Sequence, residues 1–127
     1  MQKCDSLVFD ITGKKPSLYR PPCGIYDGEI VDAAKKAGHS IVLWSVDTLD
    51  WKLNRPIGDA ESIEEIVNNA LKNIEDGDIV LMHDIHYNTY EATVIILQRL
   101  NEMGFNVVTV SELLGEDLEP GRLYTQK

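Results

Sequence analysis

Apolar residues recur along this chain at two spacings, one matching the turn of a helix and the other too short and continuous for it. Cys4, Leu7, Val8 and Ile11 fall on one helical face and Gly13 follows, which predicts a short amphipathic helix over 2–12. Leu18 and Tyr19 lead into a Pro- and Gly-rich turn at 20–24. Asp27 can then cap a helix carrying Ile30, Ala33, Ala34 and Ala37 on one face, and Gly38 stops it. Ile41, Val42, Leu43, Trp44 and Val46 make a short branched and aromatic run, the pattern of a strand buried on both faces, with a loop from Asp47 to Arg55. Ser62 with Glu65 forms a capping-box pattern ahead of a stripe at Ile63, Ile66, Val67, Ala70, Leu71 and Ile74. Gly77 closes that helix, and Ile79 to Met82 predicts a second buried strand. Ala92, Ile95, Ile96, Leu100 and Met103 mark a further helix ended by Gly104. Residues 106–109 predict a strand, 111–114 a turn of helix, and the segment from Gly115 an irregular surface tail.

Helices alternating with short apolar strands indicate parallel βα units, in which ligand sites gather at the carboxyl ends of the strands. Arg20 follows the extended pair at 18–19, Asp47 the run at 41–46, and His83 the run at 79–82. Three chemically capable groups are thus expected toward one rim. A histidine there can donate a proton to a leaving group, and a carboxylate within hydrogen-bond reach would orient its ring, so Asp47 and His83 form the expected pair. A turn containing Gly24 can offer a backbone N–H to a developing oxyanion, while Trp51 and Leu81 could wall a small apolar pocket.

Blander readings compete with these. A lone strand-end histidine is more often a hydrogen-bonded structural residue, and the cluster His83, Asp84 and His86 is weak evidence for a metal site outside a helix. Asp50 is as well suited to bonding backbone groups of its own loop as to meeting a substrate. Trp44 fits a core, whereas Trp51, in a polar loop, suits core packing and sugar stacking equally.

Charge narrows the partners. With 127 residues and a formal charge of -9, the chain is expected to be one domain that repels phosphate, which disfavours nucleic acid and anionic lipid. No run approaches the roughly 20 apolar residues of a membrane span, and residues 1–15 lack the order of a secretion signal. Cys4 and Cys23 are expected as free thiols.

Three segments carry a resemblance. Arg20-Pro21-Pro22-Cys23-Gly24 resembles the third motif of the NodB-type polysaccharide deacetylases of carbohydrate esterase family 4, Asp47-x-x-Asp50-Trp51 the fourth, and Leu81-x-His83 the fifth. Their order is that of the family, and the likeness extends through Trp44-Ser45-Val46 to Pro120-Gly121-Arg122-Leu123-Tyr124. The resemblance implies an α/β fold that is a partial (β/α) barrel with a parallel sheet, lacking the family's N-terminal strands. The open edge would be covered by a second chain or by an N-terminal segment.

The implied reaction is removal of N-acetyl or O-acetyl groups from a sugar polymer, with a divalent metal, zinc by family habit, in the complete domain. His83 would protonate the departing amine, Asp47 would tune it, and Arg20 would orient the catalytic base. The Cys23 N–H would meet the oxyanion, and Trp51 with Leu81 would receive the acetyl methyl. Pro22, Gly24 and Asp50 complete the implied substrate contacts. The family's first two motifs, an Asp pair and two histidines four apart, belong before Arg20, yet residues 1–19 hold no histidine and only Asp5 and Asp10 as aspartates. No metal is therefore expected for this chain alone. Cys23 also stands where the family usually has Tyr. The alternative reading is a non-catalytic carbohydrate-binding α/β remnant that keeps Arg20, Asp47, Trp51 and His83 as a sugar cleft. The resemblance further implies a secreted or bacterial cell-surface setting and an N-acetylated polysaccharide or oligosaccharide as partner.

Overall fold

The structure, a computed structural model, describes residues 1–53, 56–115 and 117–127. They fall into two units, one of residues 1–43 and 114–125, the other of residues 44–113 and 126–127.

In the first unit, α1 (Gln2–Thr12) ends at Gly13, whose φ of 71° lets its N–H reach the Phe9 carbonyl at 2.8 Å. The helix forms as its period predicts, but it buries none of its residues, and Leu7 and Ile11 are 64% and 84% exposed. Asp5 ties it down through a contact of 3.0 Å to Nε2 of the buried His39. After β1 (Leu18–Tyr19), α2 (Gly28–Ala37) starts where Asp27 Oδ1 accepts the Ile30 N–H at 2.9 Å and stops at Gly38, burying Ala34.

β2 (Ser40–Val42) is buried along its whole length and pairs in parallel with β1, Leu18 opposite Ser40 and Tyr19 opposite Ile41. Its other edge takes β5 (Leu123–Tyr124), also parallel, with the Ile41 and Leu43 N–H groups donating to Arg122 and Tyr124 carbonyls at 2.8 Å. The expected irregular tail is therefore corrected to a strand. Two half-buried residues in a polar segment carry no readable period, but a buried central strand needs acceptors along both edges. Gly121 makes the approach possible: at φ 82°, an added Cβ would lie 2.8 Å from the Lys35 Cβ of α2.

In the second unit, β3 (Val46–Asp47) and β4 (Val80–Leu81) are parallel, Val46 opposite Val80 and Asp47 opposite Leu81. The single strand expected over 41–46 is thus two. The Ser45 and Val46 N–H groups both donate to the Ile79 carbonyl, at 3.1 and 3.2 Å, a bulge-like doubling that breaks regular pairing at Ser45. α3 (Ala60–Leu71) starts earlier than the capping box predicts, because Asp59 is the cap: its Oδ2 accepts the Ser62 N–H at 2.9 Å and the Ser62 hydroxyl at 2.5 Å. The predicted stripe of α3 buries Ile63, Ile66, Val67 and Ala70 against Ala92, Ile96 and Leu100 of α4 (Tyr87–Glu102), with Leu53 beside them.

α5 (Val110–Leu114) spans the boundary of the two units. The strand expected at 106–109 does not form; Val107 and Val108 are 56% and 41% exposed. Residues of strand propensity become a strand only when a ladder partner satisfies their backbone, and the described residues offer this segment none. The parallel pairing agrees with a partial (β/α) barrel, and neither the three-stranded nor the two-stranded sheet closes. Among the described residues no helix is long and apolar enough to cross a membrane.

Candidate functional site

The second unit places its polar chemistry just past the carboxyl ends of β3 and β4, where parallel strands usually present it. Thr48 is fully buried and anchors the loop after β3, its hydroxyl donating to the Leu81 carbonyl at 2.9 Å while Asn69 Nδ2 donates to the Thr48 carbonyl at 3.1 Å. Asp47 Oδ1 accepts the Leu49 N–H at 2.9 Å, bracing Leu49 at φ 55°. The chain reverses there and carries Asp50 inward to 1% exposure.

Asp50 meets a dense set of donors. Its Oδ1 accepts from the Trp51 N–H at 3.0 Å and lies 2.8 Å from His83 Nδ1. Its Oδ2 accepts the His83 N–H at 2.7 Å and the Thr89 hydroxyl at 2.9 Å. Burial by itself would raise the Asp50 carboxyl. The bonds from the His83 ring and backbone and from Thr89, with the His83 charge, outweigh burial and hold it below its ordinary value. An ionised carboxylate on Nδ1 fixes that nitrogen as the donor and leaves Nε2 for proton transfer. The His83 side chain is 38% exposed, so its ring reaches solvent while its orienting partner does not.

This geometry corrects two expectations. The carboxylate on His83 is Asp50, not Asp47, whose Oδ1 is engaged by its own loop. Asp50 in turn is too deeply buried to touch a substrate. Two aspartates three positions apart look alike to a local sequence pattern; in the fold Leu49 takes a left-handed turn between them and Asp50 is the one buried.

Trp51 is half exposed, with Lys52 Nζ 4.8 Å from its ring, and offers a face suited to stacking on a sugar. Leu81 is buried. Asp84 is exposed, and His86 occupies the cap position of α4 without a side-chain cap bond.

In the first unit, Arg20 directly follows β1 and is exposed. Pro21 is buried, and Pro22–Gly24 form a 3-10 turn in which Cys23 adopts φ 56° and Gly24 φ 69°. The Gly24 N–H bonds the Pro21 carbonyl at 3.0 Å. Among the described residues, Cys23 and Leu49 are the non-glycine residues with positive φ, and each lies inside a motif-like segment. Strain of this kind collects where backbone atoms must be aimed. Cys4 and Cys23 are free thiols.

The metal implied by the resemblance does not find its ligands here: no group of three or more His, Cys, Asp or Glu side chains among the described residues could hold an ion, and His83 Nδ1 is committed to Asp50.

Sequence reasoning passed over Thr89, which is 3% exposed. The signal was present: Thr89 stands on the same helical face as Ala92, Ile96 and Leu100, and a polar residue on an apolar stripe needs a buried partner.

No protein-family model matches the chain. Among curated proteins it is 38% identical over 125 residues to the peptidoglycan-N-acetylglucosamine deacetylase PgdA of Listeria monocytogenes, covering 98% of this chain and 25% of that protein. It is 42% identical over 111 residues to a peptidoglycan-N-acetylglucosamine deacetylase of Bacillus cereus, covering 84% of this chain and 49% of that protein. Among solved structures, a deacetylase determined with substrate superposes with a TM-score of 0.80 at 34% identity, over 97% of this chain and 57% of that one. A carbohydrate esterase family 4 pseudoenzyme from Bacillus anthracis superposes at 0.77 and 31% identity, over 97% of this chain and 42% of the other. The chain thus spans half or less of the length of these curated relatives.

Proposed function

We propose a function from the premise that this chain belongs to the NodB-type polysaccharide deacetylases of carbohydrate esterase family 4 and corresponds to a C-terminal part of their domain. The function is the leaving-group half of a deacetylase reaction on an N-acetylated polysaccharide of the bacterial cell wall. The observation that carries it is the ring of His83, held at Nδ1 by the buried Asp50 and reached by solvent.

In this reading the tetrahedral intermediate collapses with cleavage of the acetyl C–N bond. The proton on His83 Nε2 passes to the departing nitrogen, and acetate and a free amine result. Asp50 stays ionised throughout, stabilising the charged ring before transfer and holding its orientation after it. Trp51 receives a sugar ring, and Asp47 shapes the loop that delivers Asp50. We extend to Arg20 and Cys23 the roles that the resemblance implies, orientation of the base and donation of a backbone N–H to the oxyanion, and to Pro22, Gly24 and Leu81 the shaping of the substrate wall.

Zinc, in the complete domain, would supply the activated water. These residues do not compose its site, and water without a metal is far too weak an acid to yield a nucleophile near neutral pH, whereas metal binding brings its pKa down to about 7. The partner is accordingly the remainder of such a domain, in the same chain or another. It would contribute a strand beside the segment at 106–108, where Val107 and Val108 stand exposed. A secreted or cell-surface setting follows from a cell-wall substrate. The second reading, a non-catalytic carbohydrate-binding module, draws support from the similarity to a family pseudoenzyme.

The test is acetate release from N-acetylglucosamine oligomers with added Zn²⁺. The chain alone should release none, and the chain joined to the N-terminal part of a family domain should turn over. Metal-dependent turnover by the chain alone would sink the division of labour. Oligomer binding without turnover in the joined protein would favour the second reading.

A further inference from the structure

We propose that Thr89 is a positioning residue that sets the state of the His83 ring through Asp50. The inference rests on the reading of His83 as the proton donor only for its catalytic consequence; the coupling itself is a property of this chain.

An aspartate carboxylate turns freely about its last torsion, which has broad and nearly two-fold minima, so a single hydrogen bond does not decide which oxygen faces which donor. Here the Thr89 hydroxyl and the His83 N–H converge on Oδ2, at 2.9 and 2.7 Å. With Oδ2 pinned from two sides, Oδ1, which also takes the Trp51 N–H at 3.0 Å, is directed at His83 Nδ1, 2.8 Å away. The arrangement is rigid because both Asp50 and Thr89 are buried, at 1% and 3% exposure, and because Thr89 sits in the first turn of a 16-residue helix. Its own carbonyl is further held by the Thr93 hydroxyl at 2.7 Å. The hydroxyl has one proton to give, so against an ionised carboxylate Thr89 can only be the donor. Removing it would leave one lone pair of a buried carboxylate unmatched and Oδ2 held by the His83 N–H alone, and the carboxylate would turn toward the Trp51 N–H that already meets Oδ1 at 3.0 Å, lengthening its contact with Nδ1. The neutral imidazole would then lose its bias toward carrying hydrogen on Nδ1, and Nε2 would no longer be reliably the nitrogen that exchanges its proton.

The measurement is ¹⁵N NMR of the histidine ring in the chain as it stands, for wild type, Thr89→Ser, Thr89→Val and Thr89→Ala. Wild type and Thr89→Ser should show well-separated Nδ1 and Nε2 shifts typical of the Nδ1–H tautomer. Thr89→Val should show them drawn together by tautomer exchange, while backbone amide signals elsewhere stay in place. Thr89→Ala makes the same prediction without a new methyl group, should the Val variant fail to fold. An unchanged Nδ1–H signature in a folded Val or Ala variant would overturn the inference. A second readout separates this from the functional reading. In a protein completed with the N-terminal part of the domain, Thr89→Val should lower kcat about tenfold and leave KM in place. If the ring signature changes and kcat does not, the coupling holds and the assignment of His83 as the acid is what fails.

Discussion

Among the described residues are two His–Asp pairs built the opposite way round. In the second unit, His83 Nδ1 lies 2.8 Å from Asp50, with a carboxylate side chain 0% exposed and a ring 38% exposed. In the first, His39 Nε2 lies 3.0 Å from Asp5, with a ring side chain 3% exposed and a carboxylate 22% exposed. Distance barely separates them; burial does. A buried carboxylate behind an accessible ring leaves a nitrogen able to meet a substrate. A buried ring behind an accessible carboxylate is a strut between α1 and the entry to β2, and its Nδ1 finds no partner among the described residues. Asp50 also meets further donors from Trp51, His83 and Thr89, which together fix how its carboxylate is turned.

The largest expected effect that would sharpen this contrast is on turnover. In a completed domain, His83→Ala should cut kcat by roughly 10²–10⁴, the usual loss for one general acid, while His39→Gln should alter stability and leave kcat within about twofold. Equal losses of kcat would erase the distinction drawn from burial.

Stability should divide the pairs next. Asp50→Ala strips the acceptor from two backbone N–H groups, a ring nitrogen and a hydroxyl, and should cost about 3 kcal/mol by denaturant titration. Asp5→Ala removes one contact from a carboxylate that water already reaches and should cost about 1 kcal/mol. A larger loss from Asp5 than from Asp50 would reverse the comparison.

The smallest effect is on pH dependence. Asp50 sits below its ordinary value of 3.8, so more protons bind the unfolded than the folded state in that range. Its stabilising contribution is fully present above about pH 4 and is lost as pH falls through the depressed folded value. Urea midpoints followed from pH 6 downward should therefore fall more steeply for the wild type than for Asp50→Asn. Parallel curves would mean that the carboxylate is not held ionised by its donors.

The amino-acid sequence by itself determined the local features: the apolar stripes of α3 and α4, the Asp27 cap and Gly38 stop of α2, and the placement of Arg20, Asp47 and His83 at strand ends. Each depends on residues within a few positions of one another, where the period of a helix or strand is legible. Tertiary structure decided the rest. Asp50 meets His83 across 33 residues and Thr89 across 39, and no local pattern distinguishes it from Asp47 until Leu49 takes its left-handed turn. The same holds for pairing. Leu123 and Tyr124 became a strand because the buried β2 had an edge to offer, while Val107 and Val108, with the better strand propensity, found no ladder and stayed exposed. Backbone hydrogen bonding between distant segments is satisfied by whichever partner the fold brings alongside, and propensity alone cannot supply that partner.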